Sequence, residues 1–378
     1  MPASAKDSSA IAVVGAGMAG VACAAGLRSA GLSVALFEKA RGVGGRMATR
    51  RLAHGAVGSA GETGPDTAVD GHNATLSYGI DHGAPAFAAR QPRFKAWLAR
   101  AEARGVVQRW QPRLHAAWPQ RSEAHWWVPQ GDMPALARHF LADVPLQLQQ
   151  TIQRLQHTPQ GWYLHSAEGV RHGPFAQVML AMPPAQAAVL LAGHHDGWAD
   201  SLRSSRMLPC WTLMATTEAV DWPWDVAEPE SGPLATVLRN DRKPGRSTPE
   251  GLATWVAHAT PAWSAAHLES EPQRVEKALS AALAALLPGA GKRSWQHLSV
   301  HRWRYAYSAV KDVSARSAMP EAGLDCWWDA GLGLGVCGDH LGGGGVEGAW
   351  HSGDELADTV VAWLDVGAEV VVPVPQAA

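Results

Sequence analysis

Cysteine is scarce in this chain. Cys23, Cys210, Cys326 and Cys337 show neither C-x-x-C spacing nor a disulfide framework, which favours a reducing compartment. An excess of one charge is also missing. Lys and Arg number 32 against 34 Asp and Glu, a formal net charge of −2. No basic stretch is interleaved with aromatics, so nothing argues for nucleic acid. No apolar run is long enough to span a bilayer, and Met1 to Ala10 does not read as a secretory signal. The expected setting is cytoplasmic, away from any membrane. The 17 His residues form no H-E-x-x-H pattern or paired spacing suited to zinc, and His194-His195 is expected on a surface loop. No Ser-His-Asp or Cys-His arrangement stands out, and no catalytic base is obvious.

What is present is a globular composition. The chain has 378 residues, 47% of them hydrophobic and 17% charged, long enough for two domains or one elaborated domain. Its 18 Trp residues are expected mostly in the core or in a pocket wall, where they bury area efficiently.

The most informative stretch is Ile11-Ala-Val-Val-Gly-Ala-Gly-Met-Ala-Gly20. Ile11 to Val14 reads as a strand buried on both faces. Gly15 allows a tight turn, Gly17 lets the backbone approach a pyrophosphate, and Gly20 lets helix and strand pack closely. Val21 to Ala30 is Ala-rich and helical in character, with Gly31 suiting its C-terminal end, and the helix N-terminus suits phosphate. Ser33 to Phe37 supplies a second strand ending in Glu38, an acid placed to accept hydrogen bonds from ribose hydroxyls, with Lys39 at the same corner. A dinucleotide cofactor follows from this context. Gly333-Leu-Gly-Val-Cys-Gly338 repeats the glycine spacing, but no helix is expected to open after it, so a second such domain is rejected.

Arg41-Gly-Val-Gly-Gly-Arg-Met47 comes directly after the second strand. The two glycines before Arg46 allow close approach, and its guanidinium can hold a pyrophosphate bidentately. Residues 53–78, rich in Gly, Ala, Thr and Asp, read as an inserted loop. A helix is expected over 91–105 and another over 134–141. Strands are expected over 125–128, 146–155, 161–166 and 177–182. A β-rich region follows with strands at 211–217, 234–239, 253–259 and 297–305, and a helix over 272–287. A strand at 335–338, a helix over 348–364 and a loose tail over 366–378 close the chain. The resulting α/β organisation interleaves two domains. Residues 8–95, 142–200 and 325–365 form the nucleotide-binding domain, and 96–141 with 201–324 form the substrate domain. The cofactor pocket is expected at their interface.

Together, G-A-G-M-A-G, Glu38-Lys39, Gly44-Gly45-Arg46-Met47 and Gly338-Asp339 resemble the flavoproteins that include amine oxidases and phytoene desaturases. Asp81-His-Gly-Ala84 with Phe87 and Ala89-Arg90 looks more narrowly like the bacterial renalase-like proteins. So do His301-Arg-Trp-Arg-Tyr-Ala306 and Leu334-Gly-Val-Cys-Gly-Asp339 followed by Val346-Glu-Gly-Ala349. The resemblance runs from about Ile11 to Leu364. It implies non-covalent FAD on a Rossmann-type domain joined to a smaller mixed-sheet domain of the p-hydroxybenzoate hydroxylase type. The implied FAD-binding positions are Gly15, Gly17, Met18, Ala19, Gly20, Glu38, Lys39, Arg41, Gly45, Arg46, Met47, Gly83, Gly338, Asp339 and Val346. Asp339 resembles the acid that meets the ribityl chain or, through backbone or water, a pyrophosphate oxygen. Gly342 to Gly345 reads either as a flexible linker or as the lead into a helix whose N-terminus faces the flavin's pyrimidine edge; the flanking residues favour the second. Cys337 is expected to be a buried strand cysteine rather than a flavin attachment point.

Such a resemblance implies oxidation of the 2- or 6-dihydro isomers of NAD(P)H, with O2 becoming H2O2. The flavin does the chemistry, which fits a sequence with no evident acid–base machinery. His82 either lines the flavin face or fills a polar niche beside it. Arg302, Trp303, Arg304 and Tyr305 are candidates for the substrate side, Arg for phosphates and Trp for stacking. Strand alternation lets about half of the 302–305 segment face one pocket. The chain departs from these relatives at Pro85, Ala86 and Ala88, where they commonly carry Gln, Tyr and Thr. Two other readings stand beside this one. An amine oxidase would call for an aromatic cage and a Lys near the flavin, and neither Lys39 nor Lys311 is placed for that role. A FAD-binding protein without turnover is the other.

Overall fold

The computed structural model describes residues 10–54, 76–115, 126–141, 143–219, 221–287, 295–309 and 325–369. The chain divides into two compact units, each built from separated segments. The first unit takes 1–41, 140–205 and 310–378; the second takes 42–139 and 206–309. Residues 42–95, expected with the nucleotide-binding domain, therefore lie with the second unit.

The first unit is organised by a six-stranded sheet in the order Trp327–Asp329, Leu334–Val336, Gln177–Leu180, Ile11–Val14, Val34–Phe37, Leu146–Gln147. Every pairing is parallel except the first. Helices cover such a sheet on both faces, so its strands are continuously apolar; Ile11, Ala12 and Val13 are fully buried. The strand expected over 146–155 is two strands, Leu146–Gln147 and Ile152–Thr158. Gln149 breaks it by adopting a left-handed backbone, φ +57°. The N–H groups of Gln149 and Gln150 turn instead to the carbonyls of Ala40 and Glu38.

The first helix, Met18–Ser29, packs against the last, Gly345–Glu369. Their approach depends on missing side chains: a Cβ on Gly353 would fall 2.0 Å from the Ala19 carbonyl oxygen. That last helix continues through 366–369, so these four residues are helical rather than tail. Residues 370–378 lie outside the described residues. A short helix, Asp339–Gly342, does open after Gly338, contrary to expectation. The conclusion drawn from that expectation still holds on other grounds, because Leu334–Val336 belongs to the same sheet as Ile11–Val14. His194 and His195 lie in the connection between the helices Pro184–Leu191 and Asp196–Ser204, as expected, but are half-buried and carry contacts. The His195 side chain caps the helix Asp196–Ser204 and stacks on Trp198, while His194 Nε2 meets the Leu155 carbonyl at 3.1 Å.

The second unit centres on a five-stranded antiparallel sheet. Its order is Val226–Ala227, Leu234–Arg239, Leu252–Ala259, Met207–Glu218, His297–Ser308. One face packs Trp211, Leu213, Trp222, Trp224 and Trp255 against Val275, Leu279 and Leu283 of the helix Pro272–Leu286. The opposite face packs Met214, Leu238 and Val256 against Tyr78, Ile80, Trp110 and Val128. These come from two hairpins, Thr49–His54 with Leu76–Asp81 and Val107–Trp110 with Trp126–Pro129. Hence the described ends of the expected 53–78 loop, 53–54 and 76–78, are strand; residues 55–75 lie outside the described residues. The Tyr78 hydroxyl, 3.0 Å from Thr216 Oγ1, ties the first hairpin to this sheet.

Candidate functional site

In the first unit the nucleotide-binding turn has the geometry that its three glycines imply. Gly15 sits at φ +108°, with its missing Cβ 2.5 Å from the Ala181 carbonyl oxygen. A Cβ on Gly20 would fall 1.8 Å from the Gly15 oxygen, while one on Gly17 would meet nothing within 4 Å. Two of these glycines make packing possible, and the third keeps open space above the helix N-terminus. Met18 and Ala19 are buried in the helix's first turn. The buried Glu38 carboxylate clamps the turn, accepting the Ala16 N–H at 2.8 Å through one oxygen and the Ala40 N–H at 2.8 Å through the other. Each oxygen retains a lone-pair direction for a ribose hydroxyl. Lys39 is exposed and reaches Gln186 Oε1 at 3.4 Å, and Arg41 is exposed.

The four-glycine run is an ordered turn, not a linker. Gly343, Gly344 and Gly345 all adopt positive φ, between +69° and +95°. The Gly344 N–H donates to the Asp339 carbonyl at 2.7 Å, and the Gly338 N–H donates to Ser352 Oγ at 2.9 Å. Asp339 and Val346 are buried, at the starts of the two helices that flank the run. Cys337 is fully buried just after its strand.

In the second unit, two motifs 35 residues apart in sequence are stitched together. Gly45–Met47 forms a single helical turn after a left-handed Gly44. The His82 N–H donates to the Ala48 carbonyl at 3.1 Å, the Gly83 N–H to the same carbonyl at 3.3 Å, and the Ala84 N–H to the Arg46 carbonyl at 2.7 Å. A Cβ on Gly83 would lie 2.0 Å from the Arg46 oxygen, so only glycine permits this approach. The Arg46 guanidinium donates to the Ala306 carbonyl at 3.2 Å.

Alternation along His297–Ser308 separates the substrate-side candidates. Leu298 and Val300 pack on the Trp-rich core, and Arg302 follows them. It lies over the Trp211 ring and donates to the Leu268 carbonyl and to Glu269. Trp303 points the other way. Its indole N–H donates to the His82 carbonyl at 3.1 Å and its ring stacks on His82, while the His301 ring meets both. Tyr305 lies where the pairing slips from Cys210–Trp303 to Leu208–Tyr307, and it makes no ring contact among the described residues. Arg304 donates to Glu269. Of the five candidates, then, the fold brings His82 and Trp303 together and leaves Arg302, Arg304 and Tyr305 apart from them.

Both imidazoles in this cluster are held neutral. Burial, then His301 and Arg50, push His82 down to about 3, and burial followed by Arg50 pushes His301 down to about 4. Behind them, buried His258 donates to main-chain carbonyls of the His82–Gly83 turn, and burial lowers it to about 4.

Sequence reading passed over Lys243, Arg246 and the role of Asp81. Asp81 is fully buried, and its Oδ2 accepts Lys243 Nζ at 3.0 Å and Arg246 Nε at 2.8 Å. Its Oδ1 accepts the Thr49 hydroxyl at 2.5 Å and the Met133 N–H at 3.3 Å. Burial alone would raise the Asp81 carboxyl, but Lys243 and Arg246 outweigh it and hold the group at about 2. A Pro-Gly turn flanked by two cations, Lys243-Pro-Gly-Arg246, was the available signal. Similarly, His301 shares its alternation with Trp303.

Fold and cradle define a dinucleotide-binding oxidoreductase of the flavoprotein class. The profile of the flavin-containing amine oxidoreductases matches residues 119–361, and that of the NAD(P)-binding Rossmann-like domain matches 13–101. The chain belongs to the flavin-containing amine oxidoreductase family, and its cofactor is FAD. A curated relative is the tRNA 5-methylaminomethyl-2-thiouridine biosynthesis bifunctional protein MnmC of Magnetococcus marinus, 32% identical over 217 residues. That match takes in 48% of this chain and only 30% of the relative's length. Among solved structures, cyclohexylamine oxidase from Brevibacterium oxydans IH-35A is similar, with TM-score 0.63, 14% identity and coverage of 95% of this chain and 100% of that one. Reduced UDP-galactopyranose mutase is similar at TM-score 0.66 and 11% identity, over 94% and 96% of the two chains. These likenesses establish the fold. An oxidase and a mutase share it, so the reaction must be argued from the site. No helix among the described residues is long and apolar enough to cross a membrane.

Proposed function

We propose that the protein is a renalase-like oxidase acting on 2- or 6-dihydro isomers of NAD(P)H. The overall change is isomer plus O2 plus a proton, giving NAD(P)+ and H2O2. FAD, when bound, supplies the two-electron chemistry, taking a hydride equivalent from the donor and passing electrons to O2. The chain supplies grip and placement. Glu38 and the Gly15–Gly20 turn hold the nucleotide part of the cofactor. Arg46 serves its phosphates, and the Met47 and Gly83 backbone serves its ring system. Asp339 and Val346 fit the same role in the first unit.

The observation that carries the reading is the cluster of His82, His301 and Trp303. It offers flat rings and uncharged imidazoles, which suit a planar, neutral dihydropyridine. Among the described residues, the carboxylate that acts on His82 is Asp81, which is fully buried and satisfied by Lys243 and Arg246, so it offers an ammonium no free countercharge. Amine oxidation is the second reading, favoured by the aromatic wall and by the likeness to cyclohexylamine oxidase.

The test is anaerobic mixing of the flavin-loaded protein with borohydride-reduced NAD(P)+, which contains all three dihydro isomers, using ordinary 4-dihydro NAD(P)H as control. Bleaching of the flavin band by the mixture but not the control, reversed by air, is expected. A flavin that stays oxidised in the mixture and bleaches with an amine overturns the reading.

A further inference from the structure

The Asp81 cluster contains two cations and one anion. The side chains of Asp81 and Lys243 are fully buried and that of Arg246 is 3% exposed. A neutral pair would be enough to clip the 243–246 loop to Asp81. Arg246 also anchors that loop mechanically, donating Nη1 to the Pro129 and Pro244 carbonyls at 2.8 and 3.2 Å. Its Nη2, however, is buried without a hydrogen-bond partner among the described residues. Burying an ion is costly unless opposite charge compensates it. The clip and these hydrogen bonds explain the Arg246 side chain but not its charge, and its guanidinium keeps one nitrogen unsatisfied.

The cluster's position indicates what that charge acts on. Asp81 directly precedes the His82–Ala84 segment that is sewn to Arg46 and Ala48. We infer that the Asp81–Lys243–Arg246 cluster is a fixed, buried positive charge that acts on FAD, favouring the negative charge the cofactor takes on when it is reduced. The inference rests on the reading that Gly83 meets the flavin ring. Lys243 and Arg246 are then positioning residues that raise the cofactor's midpoint potential, with no part in binding substrate. They act through the field alone, so any side chain that keeps the charge keeps the effect.

The test compares midpoint potentials of the flavin-loaded wild type with Arg246→Gln, Arg246→Lys and Lys243→Met, by reduction against reference dyes. Thermal melting is followed in parallel. Arg246→Gln leaves a neutral Asp81–Lys243 pair and should fold. Its reduced form should lose about tenfold in affinity relative to the oxidised form, a shift of about 30 mV to more negative potential. Lys243→Met should shift in the same direction, and Arg246→Lys should stay at the wild-type value. A folded, flavin-loaded Arg246→Gln or Lys243→Met with unchanged potential overturns the inference. So does failure of both to fold, which would make the cluster a structural clip only. Dyes and reductant replace the donor, so the result is independent of whether dihydro isomers are the substrate. A wild type that takes up no FAD would remove both readings.

Discussion

Trp303 and His82 are joined twice, by an indole N–H to carbonyl hydrogen bond of 3.1 Å and by stacked rings with centroids 5.3 Å apart. One contact fixes the turn, and the other fixes the ring. Trp303→Phe keeps a stacking surface but removes the donor from a partly buried carbonyl, which costs about 1 kcal/mol. Melting should fall by about 2–4 °C. Apparent affinity for the dihydro isomers should weaken by roughly tenfold, measured by rapid mixing at several donor concentrations.

Gly17 and Gly20 should respond to alanine in opposite ways. At Gly20 the new methyl would land on the Gly15 carbonyl, an overpacking cost of about 3 kcal/mol. Gly17→Ala meets only open space in the protein, so the flavin-free form should melt as the wild type does. Its FAD affinity should nevertheless fall by at least about tenfold, because the methyl occupies the approach to the pyrophosphate. Equal affinities by fluorescence titration would remove the cofactor from this turn.

Acid should weaken the second unit before its carboxylates titrate. His82, His258 and His301 are lowered from 6.5 to about 3, 4 and 4. Between these values and 6.5 the unfolded chain binds more protons than the folded one. Stability therefore rises with pH across that window and is lost as pH falls through it. Melting should drop from pH 7 to pH 5, and His301→Phe should flatten the drop. A variant with the wild-type slope would mean that His301 is not held neutral.

Asp81→Asn would strand Lys243 and Arg246 as two buried cations. The expected cost is about 3–5 kcal/mol, larger than that of Arg246→Gln, as read from urea melts of the two variants. The reverse ranking would mean that the carboxylate matters less than the loop it holds.

The nucleotide-binding turn was legible because its logic is local. Gly15, Gly17, Gly20 and Glu38 lie within one strand–helix–strand unit, and each has a backbone reason to be there. Leu234–Arg239 was bounded as observed, since an apolar strand between polar turns has few alternatives. The hairpin Thr49–His54 with Leu76–Asp81 was missed, because its strands flank a long polar stretch that masks the pairing. The Asp81 cluster was harder still. Lys243 sits in a run of surface-like residues, and the burial that transforms it comes from a partner 162 positions away. Alternation on the strand His297–Ser308 was anticipated in general terms; which residues it would turn towards His82 needed the register against Met207–Glu218.

The strand Ile11–Val14 lies between Val34–Phe37 and Gln177–Leu180, and the latter pairs in turn with Leu334–Val336. During synthesis, the first nucleotide-binding elements emerge long before the strands and last helix that cover them. A truncated product ending near residue 310 would carry the glycine turn intact yet leave Gln177–Leu180 as a bare apolar edge, prone to pairing with other chains. The glycine turn is thus framed by strands drawn from sequence positions more than 300 residues apart: its logic is local, but the sheet that holds it is long-range.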